Sequence, residues 1–469
     1  MRLLVASLIL LLASPAIRSE EPIQNVLFLV SDDLKASVLG CYGDPICQTP
    51  NLDKLAARGM VFERAYCQGL ACHPSRQSFM HSRYVDDRGP TLGEHLIANG
   101  FYSARVGKIF HMRVPGDTMP GTDGNDIAAC WTQRFNCAGR ESHTEGLYRL
   151  LNFDIATREQ EGRQTAGDRD RMFITVEADG DGSDQPDSIA ADKTIELLRQ
   201  RAESETPFFI ATGFVRPHYP HVSPAEMFLD YPLDQMPLPE PPPGDLDDIP
   251  KIAQSGRTSQ SSGMAKYPDN IRRMWQAYYT NVTFMDQQVG RILDELERLG
   301  LDQSTAVVFT SDHGYHLGEH HFWQKSVLHE EVIRVPLIVA TPGGAAGRST
   351  SLVELTDFYP TVCDWVGVEK PKTLQGLSLQ PILDNPEASI RDSVYVPGDR
   401  GNAIRTDRWA YFRYRTNDEE LYDMDADPGQ FTNLAGVGEF AEEKARLAQE
   451  LSALESRGTR RNSLPKQGD

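Results

Sequence analysis

Two apolar runs far apart in the chain end in the same way. Asn25–Val30 leads into Ser31-Asp32-Asp33, and Thr305–Thr310 leads into Ser311-Asp312-His313-Gly314. Neither run alternates apolar with polar residues, so each suits a strand covered on both faces. Pro207–Phe214 and Val335–Thr341 are two more such runs. Helical patterns lie between them, at Ile189–Glu203, Ile271–Leu299 and Leu352–Val366. Strands alternating with helices predict an α/β fold on a doubly wound, mostly parallel sheet. Such sheets bind ligands at the carboxyl ends of their strands, where both acidic clusters stand.

Pro237–Pro243 and Ser255–Gly263 have loop compositions and interrupt this domain without dividing it. From Val394 the texture changes to short β-type runs such as Trp409–Tyr414. A helical pattern with Leu447, Leu451 and Leu454 on one face follows. The chain thus divides into a main domain over 20–393, a small α+β C-terminal domain over 394–458 and a disordered tail over 459–469. Residues 1–19 have the pattern of a signal peptide: Arg2, an apolar stretch Leu3–Leu12, then small residues at Ser14-Pro15-Ala16. That apolar stretch is too short to span a bilayer. The expectation is an exported protein with no membrane partner, periplasmic or extracellular, or lysosomal in a eukaryote.

The 469 residues carry a net charge of −20, which argues against a nucleic-acid partner. An acidic protein that handles an anion needs a locally positive pocket. The seven cysteines are an odd number, which in an exported chain flags one thiol with another task. Cys41/Cys47 and Cys130/Cys137 are close enough for local bridges, but spacing does not fix the connectivity.

Acidic groups gathered at strand ends repel one another unless a cation lies between them. Carboxylate oxygens favour calcium or magnesium. The alternative use of a lone Asp is to cap a following helix; a pair at one strand end, matched by a second cluster, favours metal. His313 taken alone favours zinc or manganese. Cys72-His73-Pro74-Ser75-Arg76 admits two readings: a buried thiol near a helix N-terminus, or a nucleophile activated by that terminus and by Arg76.

Cys72, Pro74, Ser75 and Arg76, with Arg83 downstream, resemble the maturation signature of the type I sulfatases of the alkaline phosphatase superfamily. Met80-His81-Ser82 stands where that family has Leu-Thr-Gly. The resemblance runs in order from about Asn25 to Ala435, through NVLFLVSDD, TPNLDKLAARG, GKIFH, RPHYP, TSDHGYHLGEH, WQK and ELYDMDADPGQFTNLA. Within the family, RPHYP, the histidine after Asp312 and the segment VTFMDQQVGRILDELERLGL are most like the iduronate-2-sulfatases.

The resemblance implies an alkaline phosphatase-like fold and a sulfuric ester hydrolase acting on a sulfated carbohydrate. A 2-O-sulfated uronic acid such as iduronate 2-sulfate is one candidate. The alternatives are a phosphomonoester or phosphonate ester hydrolase of the same superfamily, or a non-catalytic glycan-binding relative. The resemblance also implies that a formylglycine-generating enzyme converts Cys72 to formylglycine. Asp32, Asp33, Asp312, His313 and the modified Cys72 would hold one divalent cation, Ca²⁺. Arg76 would hold the formylglycine hydrate, Lys108 the sulfate, and His111 a formylglycine hydroxyl. His218 and Lys325 would face the bridging oxygen. Lys108 and His111 lie three apart, the spacing of one helical turn.

The chemistry accounts for these residue types. A sulfate ester's negative charge repels a nucleophile, so a cation and lysines must offset it. An aldehyde hydrate offers one hydroxyl to attack sulfur and a second whose deprotonation releases sulfate, a step that serine lacks. Three other signals carry no function. Asp179–Asp184 has Asp184 and Ala190 where a calcium loop has Gly and Glu. His316, His320 and His321 have no motif role. The sequon Asn281-Val282-Thr283 falls in a helical pattern.

Overall fold

The computed structural model describes residues 23–84, 89–160 and 170–460. The expected signal peptide and residues 461–469 of the expected tail lie outside them.

A nine-stranded mixed sheet forms the centre. Its order is Arg334–Val335, Met60–Tyr66, Leu337–Ala340, Thr305–Ser311, Asn25–Asp32, Phe208–Pro217, Tyr102–Gly107 and Gln133–Phe135, with Gly347–Glu354 added beside Met60–Tyr66. Asn25–Asp32 lies parallel between Thr305–Ser311 and Phe208–Pro217. All eight of its residues are buried. Alternate side chains enter different cores: Leu27 and Leu29 pack with the helices Pro186–Ala202 and Pro268–Arg298, while Val26, Phe28 and Val30 pack with Phe79 and the helix Phe358–Trp365. A strand with apolar neighbours on both faces has no use for polar alternation, which is why these runs read as continuous.

Three expectations change. Val335–Thr341 is not a parallel strand: Leu337–Ala340 runs antiparallel to Thr305–Ser311, because the segment between them, which carries His316–Leu317, Trp323–Gln324 and the helix Glu330–Ile333, stays at the carboxyl end of Thr305–Ser311 and does not cross back over the sheet. Leu352–Val366 is not one helix. It finishes the strand Gly347–Glu354, and the helix starts only at Phe358, after Glu354 and Asp357 cap each other's backbone reciprocally. Ser255–Gly263 holds a one-turn helix, Ser259–Ser262, opened by a Thr258–Ser261 capping box.

Residues 393–423 form four antiparallel strands in sequence order, Ser393–Pro397, Gly401–Thr406, Trp409–Tyr414 and Glu419–Asp423. The helix Ala441–Arg460 lays Leu447 and Leu451 against Tyr395, Ile404 and Tyr411, and takes in the first two residues expected as tail. A second four-stranded sheet includes Ile174–Ala178 and His221–Pro224, which lie parallel. It anchors the chain just beyond Arg216–Pro220. Among the described residues no helix is long and apolar enough to cross a membrane.

Candidate active site

The carboxyl ends of three strands of the central sheet supply the centre. Asp32 ends Asn25–Asp32, and Asp33 follows with a positive φ of 64°. Asp312 follows Thr305–Ser311, and Lys108 follows Tyr102–Gly107. Lys108 reaches the centre because two glycines let the backbones close. A Cβ on Gly213 would lie 2.0 Å from the Lys108 carbonyl oxygen, and one on Gly107 2.3 Å from the Gly213 carbonyl oxygen. The expected helical turn at Lys108–His111 is absent. Lys108 donates its N–H to the Gly213 carbonyl at 2.9 Å, and bends carry the chain on to His111. That bond holds the chain to its neighbouring strand and so forestalls a helix.

Cys72 opens the helix Cys72–His81. Arg76, one turn on, is fully buried and ties the centre together. Its Nε donates to Asp312 Oδ2 at 2.8 Å, Nη2 to Asp32 Oδ1 at 3.1 Å, and Nη1 to the Lys108 and Ile109 carbonyls. Ser75 Oγ donates to the Asp312 carbonyl at 2.5 Å. Lys108 Nζ bonds Asp32 Oδ2. Lys325 Nζ donates to Asp33 Oδ1 at 2.5 Å and lies 3.1 Å from Cys72 Sγ. Three carboxylates therefore face three cations.

That balance still leaves two buried acceptors, His313 Nε2 and Asp33 Oδ2, without a donor. His313 Nδ1 donates to the Gly314 carbonyl at 3.0 Å, so in the neutral ring Nε2 carries a lone pair. That lone pair lies 3.3 Å from Asp33 Oδ1 and 3.7 Å from Asp312 Oδ2. Neither His313 Nε2 nor Asp33 Oδ2 has a hydrogen-bond donor, though both are buried. Lone pairs opposed at this range repel unless a cation lies between them. The residues fit a divalent cation, and ligand atoms of Asp32, Asp33 and Asp312 all lie within 4.8 Å of one another. Asp33, Cys72 and His313 form another such group, and Asp32, Cys72 and His218 a third.

Protonation follows from burial and charge. Burial pushes the Asp32 carboxyl up, but Lys108, then His218 and Arg76, hold it well below the usual carboxylate range. Burial raises Asp33, against the pull of Lys325 and His313. The Cys72 thiol is pushed up by burial and by Asp32, so the unmodified side chain stays protonated rather than becoming a thiolate. Both lysines are raised: burial, the largest influence on each, pulls them down, but Asp32 and Cys72 together more than offset it at Lys108, and Asp33, Cys72, Tyr219 and Asp32 together do so at Lys325. Burial, then Lys108, lowers His111 to about 4. Burial, then Lys325 and Lys108, holds His218 well below the ordinary imidazole range. His218 Nδ1 donates to the Tyr219 carbonyl at 2.5 Å, and Nε2 lies 3.8 Å from Asp33 Oδ2.

The fold thus brings Asp32, Asp33, Cys72, Arg76, Lys108, His218, Asp312, His313 and Lys325 to one place. His111 stands at its edge, its ring 6.3 Å from that of His73. The sequence reading missed Tyr219, whose ring stacks on His218 at 4.3 Å and lies 5.8 Å from Lys325 Nζ. The signal was an aromatic between His218 and Pro220. It also missed Lys35. Buried against Glu319 (2.5 Å) and Glu331 (2.6 Å), Lys35 ties the Asp33 loop to the Asp312 loop. All seven cysteines are free thiols, so neither local pair is bridged. Asn281 is fully buried, so its sequon is closed to modification in the folded chain. His320 pairs with Asp245 at 3.1 Å, away from the centre.

A family model described as Sulfatase matches residues 24–368, and one described as N-sulphoglucosamine sulphohydrolase, C-terminal, matches residues 318–457. Human iduronate 2-sulfatase is 29% identical over 401 residues, covering 74% of this chain and 70% of that protein. A structure solved with its substrate D-glucosamine-2-N,6-O-disulfate superposes with a TM-score of 0.71 at 21% identity, covering 95% of this chain and 100% of the other. The phosphonate monoester hydrolase of Agrobacterium radiobacter gives 0.76 at 21% identity, covering 93% and 96%.

Proposed function

The chain belongs to the sulfatase family and is a sulfuric ester hydrolase, and on that premise we propose that it removes sulfate from a carbohydrate by formylglycine-dependent catalysis. The observation that carries this reading is the buried Cys72 thiol, held 3.1 Å from Lys325 Nζ beside the opposed acceptors Asp33 and His313. Asp32, Asp33, Asp312 and His313 would hold a calcium ion, completed by the modified Cys72. Conversion of Cys72 supplies an aldehyde hydrate as nucleophile, and the cation supplies two positive charges toward the sulfate.

The remaining work falls to this chain's own side chains. Three carboxylates and three cations cancel without a metal, so a divalent ion makes the pocket positive toward an anion even though the chain carries a net charge of −20. Lys108 and Lys325 are both firmly protonated; Lys108 binds a sulfate oxygen, and Lys325 faces the bridging oxygen with His218. Arg76, locked by Asp32 and Asp312, fixes the helix turn that carries the nucleophile. His111, neutral above about pH 4, accepts a hydroxyl proton. His218 is neutral in the free protein because burial and the two lysines oppose its charge. A bound sulfate offsets the lysines and lets Nε2 hold the proton passed to the departing oxygen. Tyr219 holds that ring in place.

A sulfated glycan fits the relatives: human iduronate 2-sulfatase supports a 2-O-sulfated uronic acid as the first substrate to try. Maturation would need a formylglycine-generating enzyme, and the N-terminal sequence supports export. The test is to produce the chain with a converting enzyme, weigh the peptide carrying Cys72, and compare aryl sulfate with aryl phosphate turnover. An aldehyde-bearing peptide and faster sulfate turnover are expected. A peptide that carries only a thiol, or faster phosphate turnover, would overturn the reading.

A further inference from the structure

A cleft of about 690 Å³ opens between the nucleophile loop and the C-terminal sheet. Ala71, Pro74 and Ser326 form one wall, and Arg400, Asn402 and Arg415 form the other. Ala71 precedes Cys72, and Ser326 follows Lys325. The Ser326 N–H donates to the Leu70 carbonyl at 3.1 Å, which joins the two segments of that wall. An occupant of the cleft therefore lies against the backbone that carries both Cys72 and Lys325.

The opposite wall places two cations side by side. The last ladder pair between Gly401–Thr406 and Trp409–Tyr414 is Gly401 with Tyr414. One step beyond it the Arg415 N–H donates to the Arg400 carbonyl at 2.9 Å. Arg400 and Arg415 thus stand opposite each other on adjoining strand ends, where like charges destabilise a sheet. Arg400 Nη1 donates to the carbonyls of Gln254 at 2.9 Å and Ile252 at 3.3 Å, which fixes its guanidinium. Arg415 is exposed and makes no ion pair among the described residues. Two carboxylates also line the cleft. Glu455 is taken up by Arg413 at 2.5 Å and Asn402 at 2.7 Å, which leaves only Asp399 against the two arginines.

We propose that this cleft seats the sugar next to the one that loses its sulfate, and that Arg400 and Arg415 bind an anionic substituent on it, a carboxylate or a second sulfate. A planar guanidinium matches either group with paired N–H donors. An anion between the arginines also relieves their mutual repulsion. The inference rests on the sulfate-ester reading above and adds the residues that choose among sulfated glycans.

The test uses three disaccharides with the same sulfated residue, whose neighbouring sugar bears a carboxylate, a second sulfate or neither. Arg415→Glu should lower kcat/KM for at least one anionic disaccharide by about tenfold more than for the neutral one, and Arg415→Gln should do so by less. Which of the two anionic disaccharides is affected identifies the substituent. Equal losses on all three would overturn the proposal. Calorimetric titration of the unconverted protein with the same disaccharides reads the cleft without turnover. Binding that weakens in Arg415→Glu while converted wild type hydrolyses no sulfate ester would keep the cleft and sink the functional reading. Binding indifferent to Arg415→Glu would sink the cleft.

Discussion

Two of the buried carboxylate–histidine groups among the described residues behave oppositely. At the carboxyl end of the main sheet, Asp33 faces His313 Nε2 at 3.3 Å with no donor on its second oxygen, and burial raises its pKa. In the C-terminal sheet, Glu420 lies 3.1 Å from His329 Nε2, and each of its oxygens accepts a hydroxyl bond, from Tyr414 at 2.9 Å and from Tyr422 at 2.6 Å. Burial pushes Glu420 up too, but His329 and the tyrosines hold it below the usual range. Burial of charge therefore does not mark a site. A satisfied carboxylate is a structural joint, whereas acceptors left facing one another make a place for something the chain does not itself contain.

The contrast can be broken most sharply at Asp312. Asp312→Asn keeps the shape but removes a charge opposite Arg76 and a cation ligand. We expect kcat/KM to fall by about 100- to 1000-fold, the scale of losing one preorganised stabiliser of developing charge, and bound divalent metal to fall with it by elemental analysis. Retention of full rate and full metal content would place the cation elsewhere.

A smaller effect separates two histidines within the same site. His218→Ala should slow a sulfated sugar roughly 100-fold more than an activated aryl sulfate, because a sugar alkoxide needs a proton and a nitrophenolate needs far less help. His111→Ala should slow both alike. Equal losses on both substrates for His218→Ala would leave it only a sulfate contact.

The smallest expected effect on rate lies at the satisfied joint. Glu420→Gln should cost roughly 1–3 kcal/mol of stability in urea, since it weakens the bonds from two tyrosines and removes the charge beside His329, and should leave metal content and turnover per folded molecule intact. The native pKa of Glu420 is depressed, so its stabilisation is complete above the ordinary glutamate pKa and is lost as pH falls through the lowered native value. Variant and wild type should therefore converge in acid. A loss of metal in Glu420→Gln would erase the distinction drawn between the two groups.

The sequence by itself determined the strands that build the site. Asn25–Val30 and Thr305–Thr310 are apolar on both faces because both faces are covered, and a strand of that kind ends at a ligand-bearing edge. It also placed a thiol at Cys72 near a helix N-terminus with Arg76 one turn on, but left open whether that thiol is structural or reactive. It did not determine direction or register. Leu337–Ala340 reads like its neighbours yet runs antiparallel, since strand direction depends on the connection and not on the residues within the strand. Nor did it show that Lys108 reaches the centre by way of two facing glycines, that Lys35 joins two loops through Glu319 and Glu331, or that Arg400 and Arg415 line one cleft with Ala71 and Ser326. Those arrangements are contacts between distant segments. Their energies come from burial and charge that exist only once the segments meet, so the tertiary structure alone decided them.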